Sequence, residues 1–199
     1  MKKIIAFLLA AMLVMSMAAC AAKTETNTTT AAATTEAKVE EPASALEVLE
    51  NTWAKYAEDE KFFAMGGMDA EGMPVDGAPG AVDLGNADYL QYNLLVPADN
   101  AGLITDCASV IHAMNANTFT CGAYKLVDGA DETAFVTAMQ TAIQGNQWMC
   151  GFPETLLIAN VDGIIVVAFG VNDAMTPFTP NLTAAYAEAQ IVVNEAIAG

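Results

Sequence analysis

The hydrophobic pattern of this chain changes character several times between its ends. An unbroken apolar run from Ile4 to Met15 follows Lys2 and Lys3 and gives way to Ser16-Met17-Ala18-Ala19-Cys20. The run is too short to span a bilayer, and the order of basic, apolar and small residues is that of an export signal. Residues 21–43 are mostly Ala, Thr, Glu and Lys, with no periodicity that could bury a face, and read as a tether. Helical spacing begins at Ser44-Ala45-Leu46-Glu47, a capping box. It continues through Leu46, Leu49, Trp53, Tyr56 and Ala57, which predicts an amphipathic helix to about Phe63. From Gly66 to Gly85 the pattern is broken by Gly66-Gly67, Gly72, Pro74, Gly77 and Pro79-Gly80, and this stretch reads as a loop.

Beyond the loop, Asp83 to Leu95 predicts a short helix stopped before Pro97, and Asp99 to Ile104 a helical turn or bend. Thr105–Ala113 and Thr118–Val127 are rich in β-branched and aromatic residues and flank Met114-Asn115-Ala116-Asn117, so they predict a hairpin. Asp131 or Asp128 caps a helix with Phe135, Ala138, Met139, Ala142 and Ile143 on one face, ending near Gly145. A second hairpin, Thr155–Val161 with Ile164–Gly170, closes on Asp162-Gly163. Pairing Val161 with Ile164 puts Leu157, Ala159, Val166 and Ala168 on one face, and Leu156, Ile158, Ile165, Val167 and Phe169 on the other. With both faces apolar, it must lie centrally in a covered sheet or in an oligomer interface. A last helix from Pro180-Asn181 carries Leu182, Ala185, Tyr186, Ala189, Val193 and Ile197. The fold predicted is α+β: an N-terminal helix, then two strand-strand-helix units. Their four-stranded, mainly antiparallel sheet is packed by the two later helices, with the first helix on the far face or the edge.

Charge narrows the partners. Seven lysines, no arginine and one histidine stand against twenty-four carboxylates, a net charge of −17. Without a basic stripe or a phosphate-cradling glycine motif, nucleic acid is excluded as a partner. No cofactor is expected either. Met65, Met68 and Met73 share the glycine-rich loop with Asp69, Glu71 and Asp76, but their spacing fits no calcium loop, and no metal is assigned. Ser44 caps a helix and Ser109 lies in a strand, so neither suits a nucleophile elbow.

The cysteines carry the remaining chemistry. Cys20 after small residues resembles the bacterial lipobox, in which that cysteine is diacylated and becomes the new N-terminus, and two acyl chains anchor stably. Cys107, Cys121 and Cys150 are left, an odd number. If the first hairpin closes at Ala116-Asn117, Cys121 faces His112, a thiol-imidazole pair, and Cys107 lies too far from Cys121 for a bridge. A Cys121–Cys150 bridge and three buried, inert thiols both stay open. Trp148-Met149-Cys150-Gly151-Phe152-Pro153 looks like a thioredoxin turn, but Pro153 replaces its second cysteine and a polar segment, Gln144–Gln147, precedes it. It reads better as a loop with Trp148 and Phe152 plugging the core. A binding surface, if built from loops, would draw on Trp148, Phe152, Tyr89 and Tyr92.

The run Asn115-Ala116-Asn117-Thr118-Phe119-Thr120, then a helix, Gln147-Trp148 to Pro153 and an apolar hairpin ending at Phe169-Gly170, all behind a lipobox and a Thr-rich tether, resembles the small lipoproteins of Gram-positive anaerobes that carry the domain of unknown function 4358. That resemblance implies no reaction and no catalytic residues. The expected organisation is a signal peptide over 1–19, lipidated Cys20 and its tether over 20–43, and a single domain over 44–199. The expected function is a lipid-anchored, outward-facing module without enzymatic activity, bound to the cell membrane through Cys20. It would meet an unidentified protein or cell-envelope partner, or a second copy of itself. The alternative is a thiol-dependent redox factor or cysteine-nucleophile enzyme using Cys150 or Cys121.

Overall fold

The computed structural model describes residues 42–114 and 118–198. The signal, Cys20, the tether to residue 41 and the Asn115-Ala116-Asn117 turn lie outside the described residues. The first helix, α1 (Ala45–Trp53), starts where its capping box predicts: Glu47 N–H donates to Ser44 Oγ at 3.1 Å, and Glu47 Oε2 accepts from Ala43 N–H at 2.8 Å. Asp106 takes a further orphan amide, Ala45 N–H, at 2.7 Å. The helix ends ten residues short of Phe63 and buries Ala45, Val48, Leu49 and Thr52.

Three short strands follow, β1 (Ala64–Gly66), β2 (Val75–Asp76) and β3 (Gly80–Ala81), where the glycine-rich stretch reads as a loop. They form because the outer edge of β4 (Ile104–His112) needs partners: Ala64 pairs with His112, and Gly80 and Ala81 pair with Ser109 and Ala108. The glycines permit this pairing rather than prevent it. A Cβ on Gly66 would collide with the backbone of Ala78, Pro79 and Gly80. A π-helical turn (Tyr89–Asn93) and α2 (Ala98–Ala101) lead into β4.

Both predicted hairpins are present. β4 pairs with β5 (Phe119–Leu126), and β6 (Thr155–Val161) pairs with β7 (Ile164–Gly170) with Val161 opposite Ile164. Asp162 and Gly163 both take positive φ, 48° and 85°, as that two-residue turn requires. Between the hairpins, α3 (Glu132–Gln144) is capped by Asp131, whose Oδ1 accepts Ala134 N–H at 3.0 Å. After them come α4 (Asn172–Met175), α5 (Phe178–Ala185) and β8 (Gln190–Ala196).

The chain is therefore α+β, but its sheet has eight strands, not four, in the order β2-β1-β4-β5-β7-β6-β8 with β3 also on β4, and every strand pair is antiparallel. The predicted C-terminal helix forms over its first part, as α5, and beyond it sequence periodicity misleads. Its apolar residues fit helical spacing, yet Ile191-Val192-Val193 suits a strand equally, and β6 offers an unpaired edge that a strand satisfies and a helix cannot.

Layering differs as well. α1, α4 and α5 share one face with Ala108, Ala123, Leu157, Ala159, Val166 and Ala168. α3 and the π-helical turn cover the other, with Tyr124, Leu156, Ile158, Ile165 and Val167. The second hairpin thus lies centrally with both faces covered, the first of its two expected settings, and each of its buried Val, Ile and Leu side chains contributes about 1.5–3 kcal/mol. Among the described residues, no helix is long and apolar enough to cross a membrane.

Candidate functional site

The sheet has two chemically different ends. At one, Asp106 stands opposite Lys125 and Lys125 opposite Ile164, and the domain begins there through the bond from Ala45 to Asp106. At the other lie His112, Phe119, Gly170, α4 and the 146–154 loop that enters β6. β7 alone separates these ends by about 20 Å, from the six steps between its seven residues at roughly 3.3 Å each.

Aromatic rings build the second end. Trp53 meets Phe62 at 5.0 Å, Phe62 stacks on His112 at 4.8 Å with only 12° between planes, and Phe119 links Phe62 to Phe178 at 5.2 and 5.7 Å. His112 Nδ1 accepts Met114 N–H at 3.0 Å, which fixes the ring, and partial burial lowers the imidazole pKa from its ordinary value. Glu60, Phe62, His112, Val171, Asp173 and Pro177 line a cavity of about 220 Å³ here.

The 146–154 loop is fastened beside it. Glu154 Oε2 accepts Asn172 N–H at 2.8 Å and Thr155 Oγ1 donates to Asn172 Oδ1 at 2.7 Å, which ties the loop to α4. Only half of the expected core plug forms. Trp148 is half-buried against Phe169, ring centroids 5.6 Å apart, but Phe152 is 65% exposed and Met149 88% exposed. Two aromatics of the expected surface separate in the same way. Tyr92 is 70% exposed, whereas Tyr89 is buried on Ser109, Tyr89 Oη to Ser109 Oγ at 2.9 Å, and burial raises its hydroxyl pKa. Met149 escaped sequence reasoning because an apolar residue in a loop carries no sign of whether it points in or out.

The expected facing pair of Cys121 and His112 is not formed. Cys107, Cys121 and Cys150 are all free, so no Cys121–Cys150 bridge forms. The β4–β5 register is offset by two residues from the tight closure, with Cys121 opposite Val110 rather than His112. Cys121 is buried and desolvation pushes its thiol pKa well up, with Cys107 adding in the same direction; Cys107 is likewise raised by burial, then by Asp106. Cys150 alone is exposed. In the glycine-rich stretch Asp69 Oδ1 accepts the Glu71 and Met73 amides, and Asp83 Oδ1 that of Gly85. Among the described residues, no three His, Cys, Asp or Glu are placed to hold a metal.

Tyr56 is 4% exposed and its hydroxyl has no partner among the described residues. Burial raises its pKa, and the neighbouring Cys121 and Glu60 add to that. An unsatisfied buried hydroxyl costs about 1–3 kcal/mol, so Tyr56→Phe should leave the fold intact and raise unfolding free energy by about 1 kcal/mol in urea titrations. A loss of that size would show that the hydroxyl is satisfied after all. No family model, curated protein or solved structure matches the chain.

Proposed function

We propose that this chain is an extracytoplasmic lipoprotein, held on the outer side of the cell membrane by lipidated Cys20, whose domain is a non-enzymatic binding or accessory module. The observation that carries the reading is the opposition of the two ends. The chain coming from Cys20 enters at the Asp106 end, and the exposed Met149 and Phe152 project from the other. Burial of Cys121 supports this reading over a nucleophile at that position, since a desolvated thiol is a poor nucleophile, and leaves the alternative resting on the exposed Cys150.

Replacing Cys20 with alanine tests the anchor. The native chain should partition with membranes and C20A should be recovered in the soluble fraction; equal membrane retention of both would overturn the reading. Orientation has its own readout, because Cys150 is an accessible thiol. A membrane-impermeant maleimide should label Cys150 on intact cells, and labelling only after lysis would place the domain inside.

A further inference from the structure

We propose that His112 is a proton-operated latch at the end of β4: the neutral ring holds the Met114 amide, and a second proton on the ring releases it. His112 Nδ1 accepts Met114 N–H at 3.0 Å, so the neutral imidazole carries its one proton on Nε2. An imidazolium has N–H on both nitrogens and accepts nothing. A proton arriving at Nδ1 therefore meets the Met114 amide proton, and one of the two groups must move away. What the latch holds is a junction of the fold. His112 is the last residue of β4 and pairs with Ala64, Ala113 N–H donates to Phe63 O at 2.8 Å, and the ring lies on Phe62 at 4.8 Å. β1 meets β4 at two positions, Ala64 with His112 and Met65 with Ile111, so half of that pairing sits at the latch. The same ring is a wall of the cavity of about 220 Å³, and releasing Met114 frees it to leave that wall.

The charged groups around the ring come from two neighbouring segments. Glu60, after α1, and Asp173, on α4, line the cavity with His112, and Lys61, beside Phe62, is paired with Glu58 at 2.7 Å. Burial of the ring, rather than any of these charges, shifts its affinity for a proton, and it lowers the pKa. The folded chain thus takes up this proton less readily than the unfolded chain, whose imidazole titrates near about 6.5. Stability that rests on the latch is complete above that pH and is lost as pH falls from it through the lower folded value. The end of β4 is closed at neutral pH and released in acid.

His112 is the only histidine of the chain, so its ring nitrogens can be followed without overlap. The full chain in detergent micelles, isotope-labelled at its histidine and methionine nitrogens, is titrated by NMR from mildly alkaline to mildly acidic pH. At neutral pH the ring should show a proton on Nε2 and a bare Nδ1, with a midpoint below about 6.5. Through that same midpoint the Met114 amide should shift, and its hydrogen-exchange protection, corrected for pH, should fall about three- to tenfold, the net worth of one hydrogen bond. His112→Phe keeps a ring beside Phe62 without a nitrogen and should leave Met114 in the low-protection state at every pH. A Met114 amide that does not respond across the ring's midpoint, or a neutral ring protonated on Nδ1, would overturn the latch, as would parental protection of Met114 in H112F. The titration of the parent chain needs no variant, so it decides the matter whether or not H112F folds. None of these results bears on whether Cys20 anchors the chain, which the partition of C20A decides independently.

Discussion

Replacing Phe135 with alanine lowers the stability of the domain by about 3–5 kcal/mol, read as a lower urea midpoint with an unchanged slope. Phe135 is fully buried in α3, with its ring centroid 5.6 Å from that of Tyr124, and Met139 and Ile143 continue the same stripe. The cavity left by the missing ring has little means of closing. Its floor is a sheet whose Tyr124, Leu156 and Ile158 are themselves fully buried, and the start of α3 is pinned by the Asp131 cap. Phe152→Ala removes the same ring from an exposed position and should stay within about 0.5 kcal/mol of the parent. A loss below about 1 kcal/mol for F135A would mean that α3 does not pack on the sheet as described.

Iodoacetamide should modify the exposed Cys150 in the native domain, and Cys107 and Cys121 at least about a thousandfold more slowly. The two slow thiols are 1% and 0% exposed on β4 and β5, inside a sheet covered on both faces, so alkylation waits for unfolding. For a domain stable by about 5 kcal/mol, the open state is populated at less than one part in a thousand, which sets the expected ratio. Raising the pH should leave Cys107 and Cys121 slow, since burial holds both thiols protonated well beyond the ordinary thiol range. Mass spectrometry of the quenched protein separates the three sites. Fast modification of Cys121 would reopen the enzyme reading that its burial argues against.

Where local chemistry dictates structure, the sequence is legible. Ser44 and Asp131 mark their helix starts, and Asp162-Gly163 sets a register that divides nine apolar residues correctly between two faces. What stays hidden depends on distant partners. Gly66 and Gly80 look like loop residues until the free edge of β4 is known to lie beside them, and Gln190–Ala196 looks helical until β6 is known to lack a neighbour. The candidate site is harder still to read. His112 and Phe62 meet across fifty residues of sequence, and neither residue type signals a cavity alone. Trp148 and Phe152 are of one chemical kind in one short loop, and only the packing decides that one faces Phe169 and the other water.

The pairing of β5 with β7 constrains the order in which this molecule can assemble. Each hairpin closes across a short turn and can form while the rest of the chain is still loose. The seam between hairpins has no such turn: even its nearest partners along the chain, Lys125 and Ile164, are separated by α3 and β6. Its closure carries the entropic cost of a long loop, met by burying Cys121, Ala123, Val166 and Ala168 together. Until it closes, two half-sheets each expose a strand edge, and in that interval the chain is most exposed to proteases and to pairing with its own copies.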